Sequence, residues 1–443
     1  MDCSDLIIDS IGLQDVVLQS FKTDKSTLTC ELWVQQKKDT CVCESCGFSL
    51  KNVKDYRIRK LKAPPLGAYK EVIVHYRRLR AVCDMCSGQL RMSPMKGVHP
   101  QFSNMTLAMA EVAGLLMEEL TCEATSRYFR TNSKTMWDLD QWRMRHMRKF
   151  YKLPDDLNVS HMSADEVHFR TIVNTQRNSP FSERWTTQYI TSLVCTKLSK
   201  VIATAGGRDA MALANCLKTL SKKTRDQIIY FALDMNAGYF RAVSKLCPNA
   251  EIAVDRFHLV QNLNETFNTL RKDEFRLAKK RNDSFQAGML EGGRRFILME
   301  RNPNLSIEEQ NLLGKLKMLN TNINAGMLIV DYFHKVLDEK TLPNFRKSLA
   351  QWYYLVRESG IKVFKQFAQK IRKYRLNIQA YIKSNLTTAI SEGINNKIKV
   401  LKRMGYGYSN QESFELKILQ RCGLLNSSHI DTNGWHWHIP HPQ

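Results

Sequence analysis

Two carboxylates in this 443-residue chain sit where strand-like runs would end or pass close together. Asp165 lies in the run Val159 to Phe169, and Asp234 directly follows the continuous apolar run Gln227 to Leu233. Two acids brought close repel unless a cation lies between them, and oxygen-only ligands suit magnesium or manganese. A second chemical group is thiol-based: Cys43-Glu-Ser-Cys46 and Cys83-Asp-Met-Cys86. Each pair of thiolates would come from one tight turn, and two such turns close a tetrahedral zinc site. Gly47 follows the first knuckle, where a turn often needs positive φ. Cys41 is an alternative to Cys43, although Cys-x-x-Cys spacing favours Cys43. Glu392 is a third candidate. The stretch 386–404 carries Ile390, Ile394, Ile398 and Leu401 on one stripe, and Glu392, Asn395, Asn396, Lys399 and Arg403 on the opposite one. Taken alone, Glu392 is a solvated acid on a helix.

The elements that must position these groups follow from periodicity. Strands are expected over Val159 to Phe169, Thr186 to Thr196 and Lys200 to Ala205, the last ended by Gly206-Gly207. A helix over Ala210 to Leu220, a buried strand over Gln227 to Leu233, a helix over Gly238 to Leu246 and a strand over Glu251 to Val254 come next. That order is the order of a ribonuclease H-like fold, in which the first and fourth strands are neighbours. Asp165 and Asp234 would then lie side by side, and a helix carrying Glu392 would close the core. Glu166 points to the other face by strand alternation. Asp255 and His258 fall at the fifth strand's end and the next helix's first turn. They could support the site, or they could cap and pack.

Upstream, residues 1–38 read as a lead-in with one half-buried strand (Leu28, Cys30, Leu32, Val34). Lys70 to Arg80 alternates and can form a strand of a zinc ribbon. Residues 103–150 look helical, with Thr121 and Ser133 as caps around a short break, the pattern of a helix-turn-helix. Ser133, Lys134 and Thr135 would open its recognition helix. Arg143, Arg145, Arg148 and Lys149 would contact phosphates, and Lys399 and Arg403 would lie along the DNA backbone. Leu153-Pro154-Asp155-Asp156 marks a boundary. The expected division is 1–98 for the N-terminal segment and zinc ribbon, and 99–152 for the helix-turn-helix. Residues 153–266 and 386–425 form the α/β catalytic core, 267–385 a basic helical insertion, and 426–443 a tail. The tail's Gly434 to His441 invites a metal reading, but its closeness to the terminus favours mobility.

Composition points the same way. Sixty-six basic residues against 43 acidic ones leave a net charge of +23, which calls for a polyanionic partner such as nucleic acid. No stretch has the roughly 18 apolar residues of a membrane span, and MDCSDLIIDS lacks the basic start of a signal peptide. A cytoplasmic protein with mostly reduced cysteines is expected.

The chain resembles the ISL-three family of bacterial insertion-sequence transposases, from about residue 40 to about residue 425. The matching motifs are Ala164-Asp165-Glu166, Gly207-Arg208, Asp234-Met235 with Gly238-Tyr239, and Asp255-Arg-Phe-His258. Glu392-Gly-Ile-Asn-Asn-Lys-Ile-Lys and Arg403-Met-Gly-Tyr-Gly-Tyr408 complete the series. The resemblance implies Asp165, Asp234 and Glu392 as a DDE triad on magnesium or manganese, with zinc in the ribbon. It implies metal-dependent strand cleavage and strand transfer on double-stranded DNA, at terminal inverted repeats and target sites. It also implies a homo-oligomer on DNA, associated with the bacterial nucleoid. Two departures are the long polar connection Arg170 to Arg184 and the unmatched C-terminal tail. The rival readings are an inactive, transposase-derived DNA-binding regulator and a nuclease that cuts without joining.

Overall fold

The computed structural model describes residues 3–37, 41–151, 153, 157–175, 183–292, 305–384, 389–405 and 407–426. The tail motif Gly434 to His441, Pro154 to Asp156 of the expected boundary, and 176–182 of the polar connection lie outside the described residues. The chain divides into two compact units, Met1–Lys152 with Lys402–Gln443, and Leu153–Leu401.

In the first unit, helix α1 (Cys3–Ser10) leads into strands β1 (Val16–Asp24), β2 (Thr29–Gln36), β3 (Asn52–Ala63), β4 (Glu71–Cys83) and β5 (Gln89–Met92). They make one sheet of order β1-β2-β4-β3, with β5 also paired to β4. On β2 every second residue is buried (Cys30, Leu32, Val34, Gln36), as the alternation requires. Residues 1–38 are therefore more than a lead-in. Ile8, Ile11, Leu13 and Val16 join Leu32, Val34, Val74 and Tyr76 in one core.

The helices α2 (Leu107–Glu119), α3 (Cys122–Tyr128) and α4 (Ser133–Phe150) follow. Thr121 caps α3 by accepting from the Ala124 amide. The cap of α4 is Asn132, which accepts from the Lys134 amide, so Ser133 is the first helical residue instead of the expected cap. The last helix of the unit, which is numbered α16 in chain order (Gln411–Cys422), packs on α4 and α2. Its Lys417 ammonium is buried and bonds Asp140 at 2.6 Å, the Met117 carbonyl at 3.1 Å and Gln420 at 2.6 Å. Removing either charge would strand the other, a cost of about 3–5 kcal/mol. The expected core segment 386–425 is thus split, and residues 402–426 belong with the N-terminal unit.

The second unit holds β6 (His161–Thr175), β7 (Glu183–Cys195), β8 (Lys200–Gly206), α5 (Ala210–Lys218), α6 (Lys222–Asp226), β9 (Tyr230–Leu233), α7 (Ala237–Leu246) and β10 (Glu251–Val254). The sheet order is β10-β9-β6-β7-β8. β6, β7 and β8 are antiparallel neighbours, while β9 runs parallel to both β6 and β10. This is the ribonuclease H-like order. Helices α8 (Arg256–Lys280), α9 (Ser284–Leu290), α10 (Ile307–Leu319), α11 (Thr321–Asp338), α12 (Leu342–Ser359), α13 (Lys362–Lys373) and α14 (Arg375–Ser384) form the helical insertion. Its core is built around Phe267, Phe333, Phe345, Trp352, Phe364 and Phe367. α14 covers the edge strand β10, with Asn377 donating to the Ile252 carbonyl at 2.9 Å. Helix α15 (Ala389–Met404) follows the insertion.

Candidate functional site: a row of carboxylates and a cluster of thiols

The strand register builds the carboxylate row. β6 and β9 pair up to Ser163 opposite Ala232, and β9 and β10 pair up to Leu233 opposite Val254. Asp165 lies on β6 two residues past its last pair with β9, while Asp234 and Asp255 directly follow the last residues of β9 and β10, so the register brings the three carboxylates to neighbouring positions at one end of the sheet. The Asp255 amide donates to the Leu233 carbonyl at 2.8 Å, which holds the alignment past the end of β10. The expected pair is therefore adjacent, and Asp255 extends it.

Helix α15 is tied to that face. Ser163 and Ser391 share a hydrogen bond of 2.6 Å, and the Asn395 side-chain amide donates to Asp165 Oδ2. Asp165 Oδ1 also accepts from the Glu166 amide at 2.8 Å. Glu392 lies one turn ahead of Asn395 on the same stripe, and it is exposed. Among the described residues, only the four cysteines converge closely enough to be ready-made metal ligands, so the structure does not gather Glu392 into a closed cage with the aspartates. His258, in the first turn of α8, brings Nδ1 to 3.9 Å from Asp234 Oδ1. Asp255 also caps α8, accepting from the Phe257 amide at 2.7 Å.

Burial dominates the electrostatics. It raises the carboxyl of Asp165, against the opposing pull of the Glu166 amide, and it raises Glu166, helped by the charges of Asp165 and Asp234. Burial pushes Asp255 up to about 6, although nearby His258 pulls it down. Crowded aspartate oxygens are the donor set a hard divalent cation fits, with the His258 imidazole standing beside them. Glu166 pairs across the sheet with Thr191, which hydrogen-bonds Tyr239 of α7 at 2.8 Å. It therefore sits on the face away from α15, close enough for its charge to be felt through the strand.

The thiols are more tightly gathered. Cys43 and Cys86 lie 3.8 Å apart, Cys46 and Cys83 lie 3.5 Å apart, and all four sulfurs fall within 4.8 Å of one another. Tetrahedral zinc with bonds of about 2.3 Å needs sulfurs about 3.8 Å apart, so the cluster fits that ion. Both knuckles turn through left-handed backbone, with φ of +73° at Gly47, +54° at Ser87 and +71° at Gly88. Burial works against the Cys43 thiolate, but the amides of Cys46 and Ser45 hold its pKa at about 7. Contact with the Cys46 thiol, and then burial, push Cys86 up to about 12. Cys41 stays out of the cluster, donating to the Lys37 carbonyl at 3.1 Å.

The expected DNA-contacting residues separate by exposure. Ser133, Lys134, Arg145, Lys399 and Arg403 are exposed, and Thr135 is half-buried. Arg143 is a correction. Its side chain is 7% exposed, pairs with Glu118 at 2.7 Å and donates to the Gly114 carbonyl at 3.2 Å. Its charge is spent inside the helical bundle, leaving none for phosphate. Sequence reasoning missed Asn395 and Ser391 as contacts to the first strand. Their spacing from Glu392 on one helix was the available signal.

The sequence profile of the ISL3-type DDE transposases, described as "Transposase", matches residues 181–418. The transposase for insertion sequence element IS1001 of Bordetella parapertussis is 26% identical over 391 residues, which is 88% of this chain and 91% of that protein. The transposase for IS1557 of Mycobacterium tuberculosis is 22% identical over 256 residues, 53% of this chain and 57% of that protein. A solved chain from a Drosophila P element transposase strand transfer complex aligns over 72% of this chain and 92% of its own. It shares 12% identity at a TM-score of 0.32, a likeness too distant to build on.

Proposed function

Because the chain belongs to the ISL3 family of DDE transposases, we propose that it cuts and joins DNA at the inverted-repeat ends of an insertion sequence, using Asp165, Asp234 and Glu392. The strand register that sets Asp165 beside Asp234, under a helix led by Glu392, is the observation that carries this reading. Magnesium or manganese held there would activate the attacking water or 3′-hydroxyl and stabilise the leaving 3′-oxygen. The chain's own part is positioning. Asn395 and the Glu166 amide hold both oxygens of Asp165, and His258 Nδ1 stands 3.9 Å from Asp234 Oδ1. Cys43, Cys46, Cys83 and Cys86 would hold zinc and so stabilise the fold beside the helix-turn-helix. Ser133, Lys134 and Thr135 would meet base edges, while Arg145, Lys399 and Arg403 supply salt-dependent phosphate contacts. A homo-oligomer bridging two element ends and target DNA, associated with the bacterial nucleoid, completes the proposal. Among the described residues no helix is long and apolar enough to cross a membrane.

The alignment of Asp255 with the other two aspartates favours a second reading, in which Asp255 is the third carboxylate. Strand cleavage and transfer on element-end duplexes decide between them. Asp165→Asn and Asp234→Asn should each lower the rate on the order of 10³-fold, the loss of several kcal/mol of transition-state stabilisation. Glu392→Gln should match them, with Asp255→Asn milder; the reverse order transfers the role to Asp255. Full activity in Asp165→Asn, Asp234→Asn and Glu392→Gln together would sink the proposal. End binding without any cleavage by the wild-type chain would indicate a regulator, and cutting without joining a nuclease.

A further inference from the structure

We propose that the helical insertion carries a binding site for a DNA phosphodiester, a grip on the DNA separate from the helix-turn-helix. This rests on reading the chain as an enzyme that acts on DNA. Gly360, at φ +69°, ends α12 and turns the chain so that α13 packs back on it. The two helices together line a cavity of about 440 Å³. Tyr353, Tyr354, Arg357, Lys365, Gln369 and Arg372 supply its polar lining, and no acid lines it.

The charge there is one-sided. Phe364, Phe367 and Ile371 turn the apolar side of α13 into the core of the insertion. The same helix carries Lys362, Lys365, Lys370, Arg372 and Lys373, and no acid. Lys370 is engaged by Asn262 at 2.7 Å. Among the described residues, neither Lys365 nor Arg372 pairs with an acid, and Arg357 pairs only with its chain neighbour Glu358, at 3.1 Å in an exposed contact worth little. The guanidiniums are also held in place. Arg357 lies over Tyr354 at 5.2 Å, and Arg372 over Tyr353 at 5.3 Å. Such a contact uses the face of a guanidinium and leaves its N–H edge free, and that edge grips a phosphate with two bonds. Three cations around one cavity repel one another, and an anion among them relieves that repulsion. A chain of net charge +23 that acts on DNA meets phosphodiesters above other anions. The tyrosine rings give the attached sugar an apolar wall.

The test measures how the full-length protein binds a fluorescent duplex carrying an element end, over a range of salt. Arg372→Gln and Lys365→Gln change exposed positions, which folding tolerates. Each should weaken binding and make the slope of log K against log salt shallower by about one, the signature of a lost phosphate contact. Lys315→Gln removes the same charge from an exposed position on α10 that does not line the cavity, and should leave the slope unchanged. Hydrogen exchange in peptides covering residues 350–373 should slow when the duplex binds. Slopes for Arg372→Gln and Lys365→Gln equal to the wild type's, or no different from that of Lys315→Gln, overturn the inference and leave the transposase reading intact. Protection of those peptides by inorganic pyrophosphate but not by the duplex would give the cavity to a free phosphate and overturn it as well. Failure of the wild type to bind the duplex at any salt concentration overturns both readings.

Discussion

The thiol cluster and the carboxylate row answer the same problem, that of gathering like-charged ligands, in opposite ways. The four cysteines come from two tight turns, and their sulfurs already lie within 4.8 Å of one another. The carboxylates come from separate elements up to 227 positions apart in number between Asp165 and Glu392 (392 − 165), and Glu392 remains exposed. A closed, pre-gathered site is what a structural ion needs. A site left open along one side is what a substrate phosphate needs. On the proposed function, proximity in the chain serves stability here, whereas proximity across the sheet serves chemistry.

Removing one thiol should have the largest effect. Cys83→Ser should lose about one equivalent of zinc and, with it, the protease resistance of residues 41–92, because structural zinc contributes folding free energy directly. Zinc content measured by metal analysis, with limited proteolysis, checks this. Retention of both in Cys83→Ser would erase the contrast between the two sites.

Weakening the scaffold of the open site should cost less. Asn395→Leu keeps the bulk of the side chain but frees Asp165 Oδ2. Strand cleavage should fall about 10- to 100-fold, the usual loss for an outer partner of a metal ligand, with a higher magnesium midpoint and unchanged zinc content. A rate loss with no shift in the magnesium dependence would mean that Asn395 supports packing alone.

The smallest effect is a pH slope of opposite sign in the two units, in zinc-loaded protein without magnesium. Buried His99 of the first unit is held down to about 4 by burial and by His146. Its contribution to stability is full above about 6.5 and is lost as pH falls through about 4. Asp255 of the second unit is held up to about 6. Its contribution is full below about 3.8 and is lost as pH rises through about 6. Peptide-resolved hydrogen exchange, corrected for intrinsic pH dependence, should show the first unit loosening in acid. Asp255→Asn should flatten the second unit's loss of protection on raising the pH from 4 to 6. Equal slopes in wild type and variant would remove Asp255 from the electrostatics of the row.

Much of this was legible from local pattern. Alternation located β2, β4 and the core strands, and the knuckle spacing named Cys43, Cys46, Cys83 and Cys86. The helical stripe placed Glu392 and Asn395 together. Arg143 was misread because periodicity reports the face a residue occupies, but not that Glu118 and the Gly114 carbonyl wait on that face. Residues 402–426 were assigned to the core because they follow its last helix. The buried Lys417–Asp140 pair, 277 residues apart, binds them elsewhere.

The sequence by itself determined the chemical kinds of ligand, the order of strands and the family. These are set by residue type and by short-range spacing, which a chain carries wherever it folds. Only the tertiary structure decided that Asp255 neighbours Asp165 and Asp234, and that Asn395 grips Asp165. It alone separated the closed thiol cluster from the open carboxylate row. Those facts depend on register between strands and on which helix face meets which strand, and long-range packing settles both.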